Sequence, residues 1–349
     1  MLAFTRRDLL KLGAGAVVAS AVPIGAKSRP LTENASLSIG SHSTLRFAVP
    51  VPTPLDADLQ LDLKAHRDLL GFYRRSGATA VLAVASTGEM LSLTWSEALQ
   101  LTRQASAVFG SVGTWASLSR GTSVAACRMG IDQLALAGAG MALVVPGLLA
   151  DGEVSDADAL RRLLSVAKGS NLPLGLYEAI APFHRLLQPE MLQQLAQVGG
   201  YRLLKTTQVS AAAVQAMAAV VPSGFSIYEA NTADLFAVLQ TGAATGVMDF
   251  CAATFPELLQ YLCQHWGQGT EASNLQRICN WIATTDATLL TQLPFPLSVK
   301  VVLQLRGLPI LPLSRLNINN LSKEQRTVAA DLFDQFNGLC KDLKITLQL

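Results

Sequence analysis

The stretch Tyr201-Arg202-Leu203-Leu204-Lys205-Thr206-Thr207 sets one lysine at the end of a short apolar run that reads as a buried strand. Removing an ammonium from water disfavours its charged form, so a lysine held in such a place tends towards a neutral amine, which attacks carbonyls and forms a Schiff base. A lysine one residue beyond a strand can also snorkel to solvent and carry no chemistry. The sequence on either side decides between these two readings.

From residue 45 onward one pattern repeats: a short run rich in Val, Leu and Ala, a polar turn, then an amphipathic segment. Runs of this kind are parallel strands buried on both faces, and the segments between them are covering helices. Strands are predicted at 45–51, 79–85, 114–118, 141–145, 173–177, 201–205, 225–229 and 246–250. Helices are predicted at 58–76 after Asp56, 95–109 after Thr94, 123–137 after Thr122, and 156–168 after Ser155. Pro189 opens the next, to residue 198, and Ser210 caps the one running to 220. Segments 232–240 and 256–265 complete the alternation. Gly77, Gly138, Gly169, Gly199 and Gly242 fall near helix ends, where a left-handed cap is needed.

Eight strand–helix units in a row predict a closed (β/α)8 TIM barrel over residues 45–268, since parallel strands need crossovers and closure removes both edges. An open doubly wound sheet is the alternative, but it calls for a glycine fingerprint after the first strand, where Val51-Pro52-Thr53-Pro54 stands instead. Residues 269–349 add a C-terminal helical extension around Pro294-Phe295-Pro296, ending in a helix from 322 to about 343.

The chain has 349 residues, half of them hydrophobic and 15% charged, enough to build a large aliphatic core. A net charge of +2 without a long basic run argues against a nucleic-acid partner and leaves small molecules as the expected ligands. Thr5-Arg6-Arg7-Asp8-Leu9-Leu10-Lys11 precedes an apolar Gly/Ala-rich run and resembles a twin-arginine export signal over residues 1–28, followed by a linker at 29–44. A periplasmic or exported location is therefore expected, with no stable membrane insertion once the signal is cleaved; an amphipathic N-terminal helix is the competing reading. The cysteines at 127, 251, 263, 279 and 340 show no C-x-x-C pair, and none of the four histidines stands at metal-ligand spacing. Neither a metal nor another cofactor is expected.

In a barrel of this type the active residues lie at the C-terminal ends of the strands. The second predicted strand ends in Ser86-Thr87-Gly88-Glu89, whose hydroxyls and open glycine backbone make a cradle for a carboxylate, or else a plain capped turn. The fifth ends in Tyr177-Glu178, the sixth in Lys205, the seventh in Tyr228-Glu229. A carbinolamine on Lys205 must lose water, and a phenol at Tyr177 is placed to carry the protons.

Taken together, Ser86-Thr87-Gly88-Glu89, Tyr177, Lys205, Gly246-Val247 and the Pro294-Phe295-Pro296 segment followed by Lys300 and Gly307 resemble the dihydrodipicolinate synthase and N-acetylneuraminate lyase family, over residues 45 to about 340. The resemblance implies a class I aldolase-type barrel. Lys205 would form a Schiff base with pyruvate or another 2-keto acid, Tyr177 would shuttle protons, and Ser86 and Thr87 would bind the keto acid's carboxylate and join the relay. Gly88, Glu89, Glu178, Arg185, Glu229 and Gly246 complete the expected substrate-binding set, and a homo-oligomer, dimer or tetramer, is implied.

Two departures shape the expected activity. The synthase branch ends strand four in a proline followed by aromatic residues, one a tyrosine lent across a subunit interface, whereas this chain has Val145-Pro146-Gly147-Leu148-Leu149. After Tyr177 the synthase has Asn-x-Pro and then an arginine; here the text is Glu178-Ala179-Ile180-Ala181-Pro182-Phe183-His184-Arg185. With export, these point to a lyase, aldolase or dehydratase acting on a 2-keto or 2-keto-3-deoxy acid, and away from true synthase activity. An exported barrel that binds a keto acid without turning it over is the second reading.

Overall fold

The apolar runs close on themselves. In the computed structural model, which describes residues 45–180, 184–268, 271–316, 318 and 320–348, eight strands form a closed barrel in sequence order. They are β1 (Arg46–Pro50), β2 (Ala80–Leu82), β3 (Thr114–Ser117), β4 (Met141–Val144), β5 (Leu174–Tyr177), β6 (Tyr201–Thr206), β7 (Ser226–Glu229) and β8 (Gly246–Val247). Every neighbouring pair is parallel, and β8 returns to β1 through Arg46 opposite Gly246. The (β/α)8 TIM barrel holds, and the open sheet does not. The export signal at 1–28 and the linker at 29–44 lie outside the described residues.

The covering helices are α1 (Leu63–Arg75), α2 (Trp95–Phe109), α3 (Val124–Leu136), the single-turn α4 (Pro146–Leu149), α5 (Asp156–Ala167), α6 (Pro189–Gln197), α7 (Ala211–Ala219), α8 (Leu235–Gln240), α9 (Phe250–Thr254) and α10 (Pro256–His265). Three longer segments follow: α11 (Ala272–Thr291), α12 (Leu297–Leu305) and α13 (Lys323–Leu343). Among the described residues no helix is long and apolar enough to cross a membrane.

Local chemistry explains most boundaries. Thr94 caps α2 as a full capping box with Glu97, and Ser155, Ser210 and Ser322 each accept a backbone N–H at the start of their helices. Three starts move. Asp62, not Asp56, caps α1 by accepting from Ala65 N at 2.9 Å. The carboxylate of Asp56 instead accepts from Asp58 N and Gln60 N, folding a tight loop whose ends meet at a Leu55–Leu61 bridge. Ser123, one residue beyond Thr122, caps α3 by accepting from Ala126 N. Strand β8 stops at Val247, not 250, because Asp249 accepts from Ala252 N at 2.7 Å and starts α9.

Candidate active site

Lys205 lies on the sixth strand with only 4% of its surface exposed. Its register partner on β5 is Tyr177, and its Nζ sits 4.2 Å from the centre of the Tyr177 ring. The Tyr177 hydroxyl in turn hydrogen-bonds Ser86 Oγ at 2.9 Å. Ser86 belongs to a single 3-10 turn, Ser86–Gly88, a short step beyond the end of β2 at Leu82, and Thr87 beside it is buried. A lysine, a phenol and a hydroxyl thus form one connected line across the C-terminal mouth. An amine packed on a phenol that itself bonds a second hydroxyl can add to a carbonyl and pass protons to and from the oxygen that must leave.

The other expected site residues serve the protein's own frame. A Cβ on Gly88 would lie 2.6 Å from Val51 O and 2.9 Å from Thr53 Oγ1, so the missing side chain makes room for the loop after β1. Glu89 has a left-handed backbone, φ 58°, and both of its oxygens are taken. Oε1 pairs with Lys300 Nζ at 2.6 Å, and Oε2 accepts from Ser314 Oγ at 2.8 Å and Arg315 N at 2.9 Å. It locks the hydroxyl turn to the C-terminal extension. Arg185 donates to the carbonyls of Ala150, Asp151 and Val154 and to Asp156, which fastens the loop after β4 and leaves no fork for a substrate. Gly246 is required because any side chain there would overlap the Tyr228 ring.

The two glutamates beside the strand ends are fully buried. Glu178 accepts from Leu187 N, Thr206 Oγ1 and Thr207 N, stitching β5 to β6. Burial pushes its carboxyl up against these hydrogen bonds. Glu229 Oε1 accepts from Ala230 N and Asn231 N, while Oε2 has no partner among the described residues. Burial raises it to about 8, so at neutral pH it is mostly the neutral acid.

Sequence reasoning missed Asp249 and Asp286. Asp249 follows β8 and Asp286 lies in α11, and their carboxylate oxygens, with Cys251 Sγ, fall within 4.8 Å of one another. Three such groups can in principle hold a metal ion. Here Cys251 Sγ donates to Ile282 O and burial holds its thiol well up, which favours protons over a cation. The signal that would have found Asp249 is its place at a strand end, hidden by reading 246–250 as one strand.

The short turn at strand four differs from the expected relay as well. Val145-Pro146-Gly147-Leu148-Leu149 forms α4 and is buried throughout, with no hydroxyl to offer.

Residues 43–335 match the Dihydrodipicolinate synthetase family. The chain belongs to that family. It is 24% identical over 291 residues to a 4-hydroxy-tetrahydrodipicolinate synthase of Moorella thermoacetica, covering 82% of this chain and 97% of that one. A protein of the same name from Synechococcus elongatus is 28% identical over 276 residues, 77% of this chain and 90% of its own. The 4-hydroxy-tetrahydrodipicolinate synthase structure from Methylacidiphilum fumariolicum SolV superposes with a TM-score of 0.75 at 18% identity, covering 86% of this chain and 99% of that one. At that identity the likeness speaks for the fold.

Proposed function

We propose that this dihydrodipicolinate synthetase family member is a Schiff-base lyase, aldolase or dehydratase for pyruvate or another 2-keto acid. The observation that carries the reading is the buried Lys205 amine packed on the Tyr177 ring, whose hydroxyl bonds Ser86. Lys205 adds to the keto carbon, and Tyr177 returns a proton to the departing oxygen. Ser86 and Thr87 receive the carboxylate. Synthase activity of the kind the relatives' names carry is not proposed, since α4 supplies no strand-four tyrosine. Borohydride reduction with pyruvate, followed by mass mapping, attaches a three-carbon adduct at Lys205; no adduct with any 2-keto acid tried would defeat the proposal. A screen of keto-deoxy sugar acids for pyruvate release then separates a catalyst from a barrel that only binds.

Tyr177→Phe keeps the ring under Lys205 and removes the proton carrier. Steady-state turnover should fall by about 10²–10⁴-fold, while borohydride trapping of the Lys205 adduct at long incubation stays complete. Equal loss of both would assign Tyr177 to binding instead.

Export through Arg6-Arg7 and assembly into a homo-oligomer belong to the same proposal. Changing both arginines to lysine should retain the protein in the cytoplasmic fraction, read by immunoblot of separated compartments; unchanged export would remove the twin-arginine part of the reading.

A further inference from the structure

The sixth strand changes face between its first residue and its lysine. Tyr201 donates its hydroxyl to Leu163 O on α5 at 2.9 Å, so its side chain points to the covering helices. Lys205 points the other way. Its register partner on β7 is Tyr228, whose ring meets that of Trp115 edge-on at 5.3 Å. Trp115 stands on β3, opposite β7 in a closed barrel of eight strands, so this contact crosses the interior, and Lys205 shares that face. On a regular strand, residues four apart point to the same side. The reversal comes from a bulge: Leu174 pairs with Tyr201 but Gly175 pairs with Leu203, which leaves Arg202 exposed and without a register partner on β5.

The ladder below the bulge is therefore one residue out of step with the ladder above it. Continued upward, the lower alignment would set Leu204 beside Tyr177 and turn Lys205 out of the barrel, since a slip of one residue exchanges the two faces. On the β5 side, the alignment that brings Lys205 to Tyr177 rests on only Gly175, Leu176 and Tyr177 against Leu203, Leu204 and Lys205. Glu178 extends it past the strand end. Its backbone N–H donates to Lys205 O at 3.1 Å, and its carbonyl accepts from Thr207 Oγ1 at 3.1 Å. Its Oε2 accepts from Thr206 Oγ1 and Thr207 N, both at 3.0 Å. Oε1 accepts from Leu187 N at 2.7 Å, which braces the carboxylate from the end of the loop that leads into α6. The residue after Tyr177 thus grips the two residues after Lys205.

We infer that Glu178 is a positioning residue, a buried register clamp that holds β6 in the alignment that sets the Lys205 amine over the Tyr177 ring. Its chemical consequence rests on the Schiff-base proposal. The amine must reach the keto carbon while the Tyr177 hydroxyl stays near the oxygen that leaves as water, and the clamp fixes that spacing from behind the strands.

The test uses pyruvate with cyanoborohydride, which reduces the iminium left when the Lys205 amine adds to the keto carbon and the carbinolamine loses water. Adduct growth then reports the reactivity of the lysine without a second substrate. Glu178→Ala should lower the maximal trapping rate about 10²-fold, the effect of about 1 Å of misplacement, and shift half-saturating pyruvate by less than about three-fold. Glu178→Gln can still turn its amide oxygen to Thr206 and Thr207 and should trap within about five-fold of the parent, although it sets a donor against Leu187 N. Thr206→Val takes away one hydroxyl at nearly constant shape; its rate should fall between the two, and it stands in if Glu178→Ala does not fold. A purely structural role would lower melting in these variants and leave trapping below the melt unchanged. In a crystal structure of the slow variant, Lys205 Nζ should lie at least about 1 Å farther from the Tyr177 ring centre than its present 4.2 Å. Parental trapping rates in Glu178→Ala and Thr206→Val would overturn the inference, as would an unmoved Lys205 in that crystal. If the parent gives no pyruvate adduct, the keto-acid proposal falls and the crystal comparison alone decides the clamp.

Discussion

Lys205→Ala should abolish the borohydride adduct and lower turnover by at least ~10⁴-fold, since removal of a covalent nucleophile leaves only binding and orientation. The folded protein should survive the change. Lys205 is 4% exposed, so the substitution takes a polar amine out of the interior while leaving a gap over the Tyr177 ring. These effects oppose each other, and the melting temperature should stay within a few degrees of the parent. Intact melting with no adduct and no turnover separates a lysine that reacts from one that supports the fold. Retained turnover in Lys205→Ala would end the Schiff-base reading at once.

Lys300→Met should cost about 3–5 kcal/mol of stability, the penalty of leaving one member of a buried pair uncompensated. The side chains of Lys300 and Glu89 are 0% and 1% exposed, and their atoms meet at 2.6 Å. Burial pulls the Lys300 ammonium down and Glu89 pulls it back. Without that cation, Glu89 keeps only the bonds from Ser314 and Arg315. The double variant Lys300→Met with Glu89→Gln should recover most of the loss, because the unpaired charge is then gone. Thermal or urea unfolding of the two variants decides it; equal destabilisation would mean that packing around Lys300, not the charge on Glu89, sets the cost. The single variant should also raise KM for a keto acid, since the Ser86-Thr87 turn ends at Glu89.

The barrel was legible because each buried strand is a short aliphatic run between turn residues, and the line Ser86, Tyr177, Lys205 could be found because all three stand at strand ends. The roles of Glu89, Glu178 and Arg185 were not legible, since a polar residue at a strand end has the same sequence signature whether it faces a ligand or the frame. Their partners lie far away in the chain: Glu89 and Lys300 are separated by 211 positions. Asp56 and Asp62 show the same limit at short range. Both are sound helix caps, and only the Leu55–Leu61 bridge selects the second. Asp249 escaped notice because an apolar strand and the first turn of a buried helix look alike in Gly246-Val247-Met248-Asp249-Phe250-Cys251.

The lock between Glu89 and the residues around Lys300, Ser314 and Arg315 bears on the order in which the molecule is assembled. The hydroxyl turn is made early in synthesis, yet its anchor comes from the last fifth of the chain. A chain emerging from the ribosome only as far as β8 would hold all of its strands while Glu89 still lacked its cation. Contacts so distant in sequence carry a large closure cost and form late. The C-terminal mouth is therefore completed last, and cutting the gene after the barrel would leave the strands without the brace that holds the turn bearing Ser86 and Thr87.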